Sequence, residues 1–137
     1  MRPEANGSAP GAAEGTAAGS PGAEPPVANP HARTRVSGPY TVVEVAGEID
    51  LLTAELLAEH LDAATARPEP DVLVDLRRVD FFDCSGLRAL CRAEARAGRR
   101  GGRLRIVCVD PHIRRLLRVS GLLGRFPPLP AIPSEPE

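Results

Sequence analysis

The sequence has no lysine, no tryptophan and very few other aromatic residues. All 17 of its basic side chains are arginines, aromatic residues make up 3% of the chain, and the formal net charge is −1. A slightly negative chain is poorly suited to hold nucleic acid by bulk electrostatics, and it offers few side chains for stacking on bases. We therefore expect a core built from Leu, Val, Ile and Ala, and no nucleic-acid partner.

Cysteine is also scarce, and long apolar runs are missing. Cys84, Cys91 and Cys108 form no CxxC pair and no Cys/His cluster at zinc-site spacing, so the sequence predicts neither a metal site nor a cofactor. We expect Cys91 and Cys108 to be small buried apolar residues. No segment is long and apolar enough for a bilayer, and no secretory signal is recognisable. These features predict a cytoplasmic protein with reduced thiols and no membrane contact. We also expect a monomer.

Composition divides the chain into three parts. Residues 1–30 are dominated by Ala, Gly and Pro and contain almost no large apolar side chain. Such a segment cannot bury enough surface to offset the entropy cost of ordering it. We predict a disordered tail at 1–30, one domain at 31–129 and a Pro-rich C-terminal tail at 130–137. After Phe126 the repeated prolines allow at most a brief edge strand.

Alternating strand and helix patterns predict the fold of the domain. A Ser-Gly-Pro turn at 37–39 makes the first two strands a hairpin. Helices are expected to begin near Asp50 or Thr53, near Ser85 and at Asp110. This order favours an α/β domain, with a mixed but mainly parallel sheet of four to five strands and helices packed against it. The expected strands cover residues 31–36, 40–46, 72–76 and 103–109.

Helical periodicity assigns faces to two of these helices. The second helix carries Arg88, Arg92 and Arg96 at intervals of four residues, which suggests a basic stripe. A solvated helix face is the more favoured interpretation, and the alternative is a docking surface for acidic residues of a partner. The first helix is expected to bury one leucine face. That face consists of Leu52, Leu56, Leu57, Leu61 and Ala64.

Residues 79–87 stand out because they join a buried strand to a helix. The Ser85 hydroxyl lies at the start of that helix, beside the carboxylates of Asp80 and Asp83. A helix start leaves backbone N–H groups unpaired and carries partial positive charge, so it favours a phosphate or an acidic partner. Asp50 follows the preceding strand, and neighbouring parallel strands would place both junctions on one rim. On these grounds alone, a recognition site at Ser85 and a simple helix cap are equally supported.

The same stretch resembles the signature of STAS domains, the family of anti-sigma factor antagonists. The similarity lies in Val-Asp-Leu-Arg-Arg-Val-Asp-Phe-Phe-Asp-Cys-Ser-Gly-Leu-Arg-Ala-Leu at 74–90, Gly-Glu-Ile-Asp at 47–50 and Ser-Gly-Leu at 120–122. It covers roughly residues 32–129. In that family the second residue of a Ser-Ser pair accepts a phosphate. The matching residue here is Ser85, while Cys84 replaces the first serine.

The resemblance implies partner switching rather than enzymatic activity. The unphosphorylated domain would bind an anti-sigma factor that is itself a serine/threonine kinase, and so free a sigma factor for transcription. The kinase would phosphorylate Ser85 with ATP and Mg²⁺, and a PP2C-type phosphatase would reverse the modification. The residues that the resemblance assigns to partner binding are Asp50, Asp83, Cys84, Gly86, Leu87 and Arg88.

Two alternatives compete with partner switching. A STAS domain could be a scaffold or sensor module that binds a partner without being phosphorylated. Alternatively, Cys84 could be an enzyme nucleophile, since a helix start stabilises a thiolate. Cysteine phosphatases need an arginine where this chain has Leu90, and no histidine is nearby in the sequence. The enzyme alternative is therefore disfavoured.

Overall fold

Seven secondary-structure elements follow one another in the computed structural model, which describes residues 24–133. Their order is the one predicted from the sequence. Their bounds are β1 (Ala32–Ser37), β2 (Tyr40–Ile49), α1 (Ala54–Ala64), β3 (Asp71–Phe82), α2 (Cys84–Arg99), β4 (Arg103–Val107) and α3 (Pro111–Val119). Most of the tail predicted at 1–30, and residues 134–137 of the C-terminal tail, lie outside the described residues.

The four strands form one sheet in the order β1-β2-β3-β4. β1 and β2 are antiparallel, and the turn between them contains Gly38 with a φ of 57°. A positive φ at this position matches the twist of a two-residue hairpin. β3 is parallel to both of its neighbours, β2 and β4. The predicted α/β fold with a mixed, mainly parallel sheet is therefore confirmed.

β2 and β3 extend further at their C-terminal ends than the sequence predicts. β2 continues through Gly47 to Ile49 instead of ending at Ala46, and β3 continues to Phe82 instead of Leu76. Two register shifts keep these strands paired until Ile49 lies opposite Phe82. The predicted strand break after Ala46, and the assignment of 79–82 to a connecting segment, are wrong. Both errors arise because the sequence of these strand ends, with a glycine and several polar residues, resembles the sequence of a loop.

The sheet separates two apolar clusters, because neighbouring residues of a strand point to opposite faces. The cluster between the sheet and the helices includes Ile49, Leu57, Leu61, Leu76, Leu90, Ile106, Leu117 and Phe126. The cluster on the open face contains Val42, Leu73, Val107 and Ile132. Cys108 is buried, as predicted, and this burial raises the pKa of its thiol. Cys91, in contrast, is only half-buried.

The chain after α3 returns to the edge of the sheet beside β4. The N–H of Cys108 donates to the carbonyl oxygen of Leu129 at 2.9 Å, and the N–H of Leu129 donates to the carbonyl oxygen of Ile106 at 3.0 Å. This short pairing agrees with the brief edge strand predicted here. Ile132, which is 2% exposed, then packs on the open face of the sheet.

Candidate functional site

The C-terminal ends of β2 and β3 form one edge of the sheet. Ile49 lies opposite Phe82 at the end of the parallel ladder, and the N–H of Asp83 donates to the carbonyl oxygen of Ile49 at 3.2 Å. The following residues, Asp50 and Asp83, are therefore neighbours, as predicted. We call this edge, with residues 50–52 and 81–85, the Ser85 rim. Ligands and partners of parallel sheets commonly bind at such an edge.

The Asp50 carboxylate fixes the turn that leads into α1. Its Oδ1 accepts hydrogen bonds from the N–H of Leu52 at 3.0 Å and the N–H of Thr53 at 3.1 Å. The Thr53 hydroxyl donates to the carbonyl oxygen of Glu48 at 2.7 Å. Thr53 occupies the N-cap position of α1, but its side chain makes no capping hydrogen bond. Both candidate caps thus hold the turn, and the Asp50 carboxylate is oriented by backbone groups.

Asp83, rather than Ser85, caps α2. Asp83 has an extended backbone, and its Oδ1 accepts a hydrogen bond from the N–H of Ser85 at 2.8 Å. Cys84 is therefore the first residue of the helix and is exposed, while Ser85 is the second and is half-buried. The Ser85 hydroxyl makes no hydrogen bond to any of residues 24–133. Capping by its neighbour leaves this hydroxyl available for another role.

Replacing Asp83 by alanine should destabilise the domain by about 1 kcal/mol, because the first turn of α2 loses its cap. The expected fall in Tm is roughly 4–8 °C for a domain of this size, measured by thermal denaturation. Asp83→Asn is the matched control, since asparagine caps as well as aspartate. An equal loss of stability in both variants would mean that the negative charge, and not the cap, is what matters.

Gly86 and Leu87 face the interior. A Cβ on Gly86 would lie 2.5 Å from Cζ of Phe82, so the aromatic ring packs directly on the helix backbone. Leu87 is 4% exposed and belongs to the cluster under the helices. The predicted partner contact of these two residues stays a prediction. Their burial favours a role in placing the start of α2, which in turn positions Ser85.

Exposed apolar side chains line the Ser85 rim. Leu51 is 75% exposed, Leu52 is 86% exposed and Phe81 is 52% exposed. The prediction that Leu52 belongs to the buried face of α1 is wrong, because the helix begins only at Ala54. Several exposed apolar side chains at the same edge of the sheet favour an interaction surface. Sequence reasoning missed this surface, although the adjacent leucines before the helix were a usable signal.

A cavity of about 240 Å³ adjoins the rim between the end of β3 and the start of α3. Its wall includes Asp80, Phe81 and His112. Asp110 begins α3 as predicted, and its Oδ1 accepts a hydrogen bond from the N–H of His112 at 2.8 Å. Val109, which is 56% exposed, precedes this cap. The rim thus continues from the β3–α2 junction towards α3.

The predicted basic stripe on α2 is incomplete, because one of its three arginines points elsewhere. Arg96 turns towards α1, where its Nη1 lies 2.7 Å from Oδ1 of Asp62 and also donates to the Thr65 hydroxyl at 3.1 Å. Each step of four residues rotates a side chain by about 40° around the helix, so a third member drifts away from the first. Arg88, Arg92 and Arg99 are the exposed arginines of α2.

Two kinds of feature are absent from residues 24–133. This part of the chain has no group of three or more His, Cys, Asp or Glu side chains placed to bind a metal ion. In the same range, every helix is too short or too polar to cross a bilayer.

Comparison with known proteins identifies the family. The family model described as "Mlab, STAS domain" matches residues 32–129. The anti-sigma F factor antagonist of Paenibacillus polymyxa is 29% identical over 87 residues, or 63% of this chain and 74% of that protein. The crystal structure of an anti-sigma factor antagonist from Mycobacterium paratuberculosis gives a TM-score of 0.65 at 29% identity, over 74% of this chain and 86% of that one. This chain therefore belongs to the STAS domain family of anti-sigma factor antagonists.

A phosphorylated relative shares the same fold. The phosphorylated form of the Bacillus cell fate determinant SpoIIAA superposes with a TM-score of 0.55 at 21% identity. The match covers 69% of this chain and 86% of that chain. At this level of identity the likeness concerns the fold alone.

Proposed function

We propose that this chain acts in the cytoplasm as an anti-sigma factor antagonist that is controlled by phosphorylation of Ser85. In its unphosphorylated form it binds an anti-sigma factor that is a serine/threonine kinase, and the bound kinase releases its sigma factor. Phosphorylation of Ser85 by that kinase ends the interaction, and a PP2C-type phosphatase restores it.

The position of the Ser85 hydroxyl carries this proposal. Asp83 supplies the cap of α2, so Ser85 is not needed to hold the helix start. Ser85 is half-buried on the rim, and its hydroxyl makes no hydrogen bond within the described part of the chain. A helix start also tolerates a phosphate, because its unpaired N–H groups and partial positive charge stabilise an anion.

The surroundings of Ser85 explain why a phosphate would end binding. A partner that covers Leu51, Leu52 and Phe81 must pack closely against the rim, because these side chains are exposed in the isolated chain. A phosphate adds close to two negative charges in that contact, beside Asp50 and Asp83. A loss of about 1–3 kcal/mol in complementarity would weaken binding roughly fivefold to a hundredfold.

The proposal is tested with the anti-sigma kinases of the same genome, each incubated with this chain and ATP. Intact-mass spectrometry should show the addition of one phosphate with the cognate kinase, and peptide mapping should place it on Ser85. The Ser85→Ala variant should gain no phosphate. Ser120→Ala, which removes an exposed serine at the end of α3, is the matched control and should be phosphorylated like the wild type.

A phosphate on another residue would contradict the switch. If a kinase bound the chain but added no phosphate, the result would favour the second candidate function, a STAS scaffold or sensor module. The exposed rim supports that candidate equally well, since apolar side chains in solvent favour partner binding whether or not Ser85 is modified.

A further inference from the structure

Charge is distributed very unevenly along the chain. Residues 24–83 contain five arginines and twelve acidic residues, whereas residues 84–133 contain eleven arginines and two acidic residues. The net charge of the chain changes from negative to positive at the start of α2, next to Ser85. The net charge of −1 for the whole sequence hides this division.

The fold converts the division along the chain into a division of the surface. The exposed side of α1 is acidic and includes Glu55, Glu59 and Asp62. α2 and α3 instead expose arginines. We call these arginines the basic face: Arg88, Arg92 and Arg99 on α2, and Arg114, Arg115 and Arg118 on α3. The segment after α3 lies against α2, because Arg125 donates to Oε1 of Glu94 on α2 at 2.8 Å. The buried sides of α2 and α3 also belong to the same apolar cluster.

The arginines of the basic face are not neutralised by the domain. Other arginines of this half have acidic partners: Arg96 pairs with Asp62, Arg125 with Glu94, and Arg103 with Asp71. The six guanidinium groups of the basic face make no ion pair and no hydrogen bond with any of residues 24–133. Six uncompensated positive charges, on two helices that pack on the same apolar cluster, produce a positive local potential.

We propose that the basic face binds an acidic surface of the partner protein, alongside the Ser85 rim. The proposal rests on the proposed function, because it takes the rim as a docking surface for a protein. Arg88 lies one helical turn after Ser85 and connects the rim with the basic face. An acidic partner surface is opposite in charge to these arginines, while its apolar residues cover Leu51, Leu52 and Phe81.

Charge and composition favour a protein over a nucleic acid as the occupant. The carboxylates of α1 would repel a phosphate backbone that runs across the helices, since α1 and α2 touch through the Asp62–Arg96 pair. Phe81 is the sole exposed phenylalanine or tyrosine within residues 24–133, so stacking platforms for bases are lacking. A protein partner can instead carry both signs of charge in the required places.

The ¹⁵N-labelled full-length chain is titrated with a poly-glutamate peptide of about ten residues and, in a separate experiment, with a short DNA duplex. The salt concentration is about 50 mM, because surface charges then act over longer distances. Amide shifts caused by the peptide should map to α2 and α3. Arg88→Glu/Arg115→Glu should weaken peptide binding by about fivefold to tenfold. The matched control, Arg67→Glu/Arg78→Glu, makes the same charge change at exposed arginines outside the basic face and should weaken it less than twofold.

Three results would overturn the inference: no peptide binding, an equal effect of both variants, or tighter binding of the duplex on the same residues. The experiment needs neither kinase nor ATP. A failure here therefore leaves phosphorylation of Ser85 untouched, and the absence of phosphorylation leaves this result valid. Circular dichroism of the variants confirms that each is folded.

Discussion

The Ser85→Asp variant is expected to fold normally and to lose its kinase partner. An aspartate at the second position of α2 is compatible with the helix dipole, so the Tm should change by less than a few degrees. The added carboxylate joins those of Asp50 and Asp83 on the rim, where a partner must pack closely. We expect binding to weaken by about tenfold or more, measured by isothermal titration calorimetry with the kinase that phosphorylates the wild-type chain.

Ser120→Asp serves as the control for Ser85→Asp, because it adds the same charge at the exposed end of α3. This variant should bind like the wild type. Binding of Ser85→Asp at wild-type strength would refute the charge-repulsion account. A large loss of Tm in Ser85→Asp would instead show that Ser85 has a structural role.

Gly86→Val should be strongly destabilising and should also disturb the rim. The new Cβ would lie 2.5 Å from Cζ of Phe82, and that ring is only 8% exposed, so it has little room to move. Overpacking of this kind costs about 1–3 kcal/mol, and a β-branched residue in a helix adds a smaller cost. The expected result is a decrease in Tm of roughly 5–20 °C, which thermal denaturation measures.

A glycine in the same helix provides the control for this prediction. A Cβ on Gly98 would meet no atom within 4 Å, so Gly98→Ala should leave the domain as stable or make it more stable by about 0.5–1 kcal/mol. Phe82→Leu should partly restore the stability of Gly86→Val by removing the opposing ring. If Gly86→Val were as stable as the wild type, the close packing of Phe82 on α2 would be disproved.

Much of the fold could be predicted because its signals are local. Pro39 and Gly38 mark the hairpin turn, Asp110-Pro111 marks the start of α3, and apolar runs mark the centres of the strands. The ends of β2 and β3 could not be predicted in this way. Residues 77–82 remain in a strand because β2 pairs with them, and pairing between distant segments leaves little trace in either segment alone.

The candidate site shows the same limit. The motif around Ser85 identified the helix start, but it did not show that the Asp83 carboxylate caps the helix. The sequence could not say that Leu52 is exposed, because that depends on α1 beginning at Ala54. It also could not place Arg96, whose direction is decided by Asp62 on a different helix. Contacts between elements, rather than patterns within them, determine both outcomes.

The pairing of Leu129 with β4 has a consequence for colloidal behaviour. An outer strand with unpaired backbone groups can recruit the strand of another molecule and seed aggregation. Here the backbone of Leu129 bonds to Ile106 and Cys108, and Ile132 covers apolar residues of the open face. Residues 129–132 therefore shield the C-terminal end of β4 from the addition of a strand of another molecule, a role unrelated to Ser85.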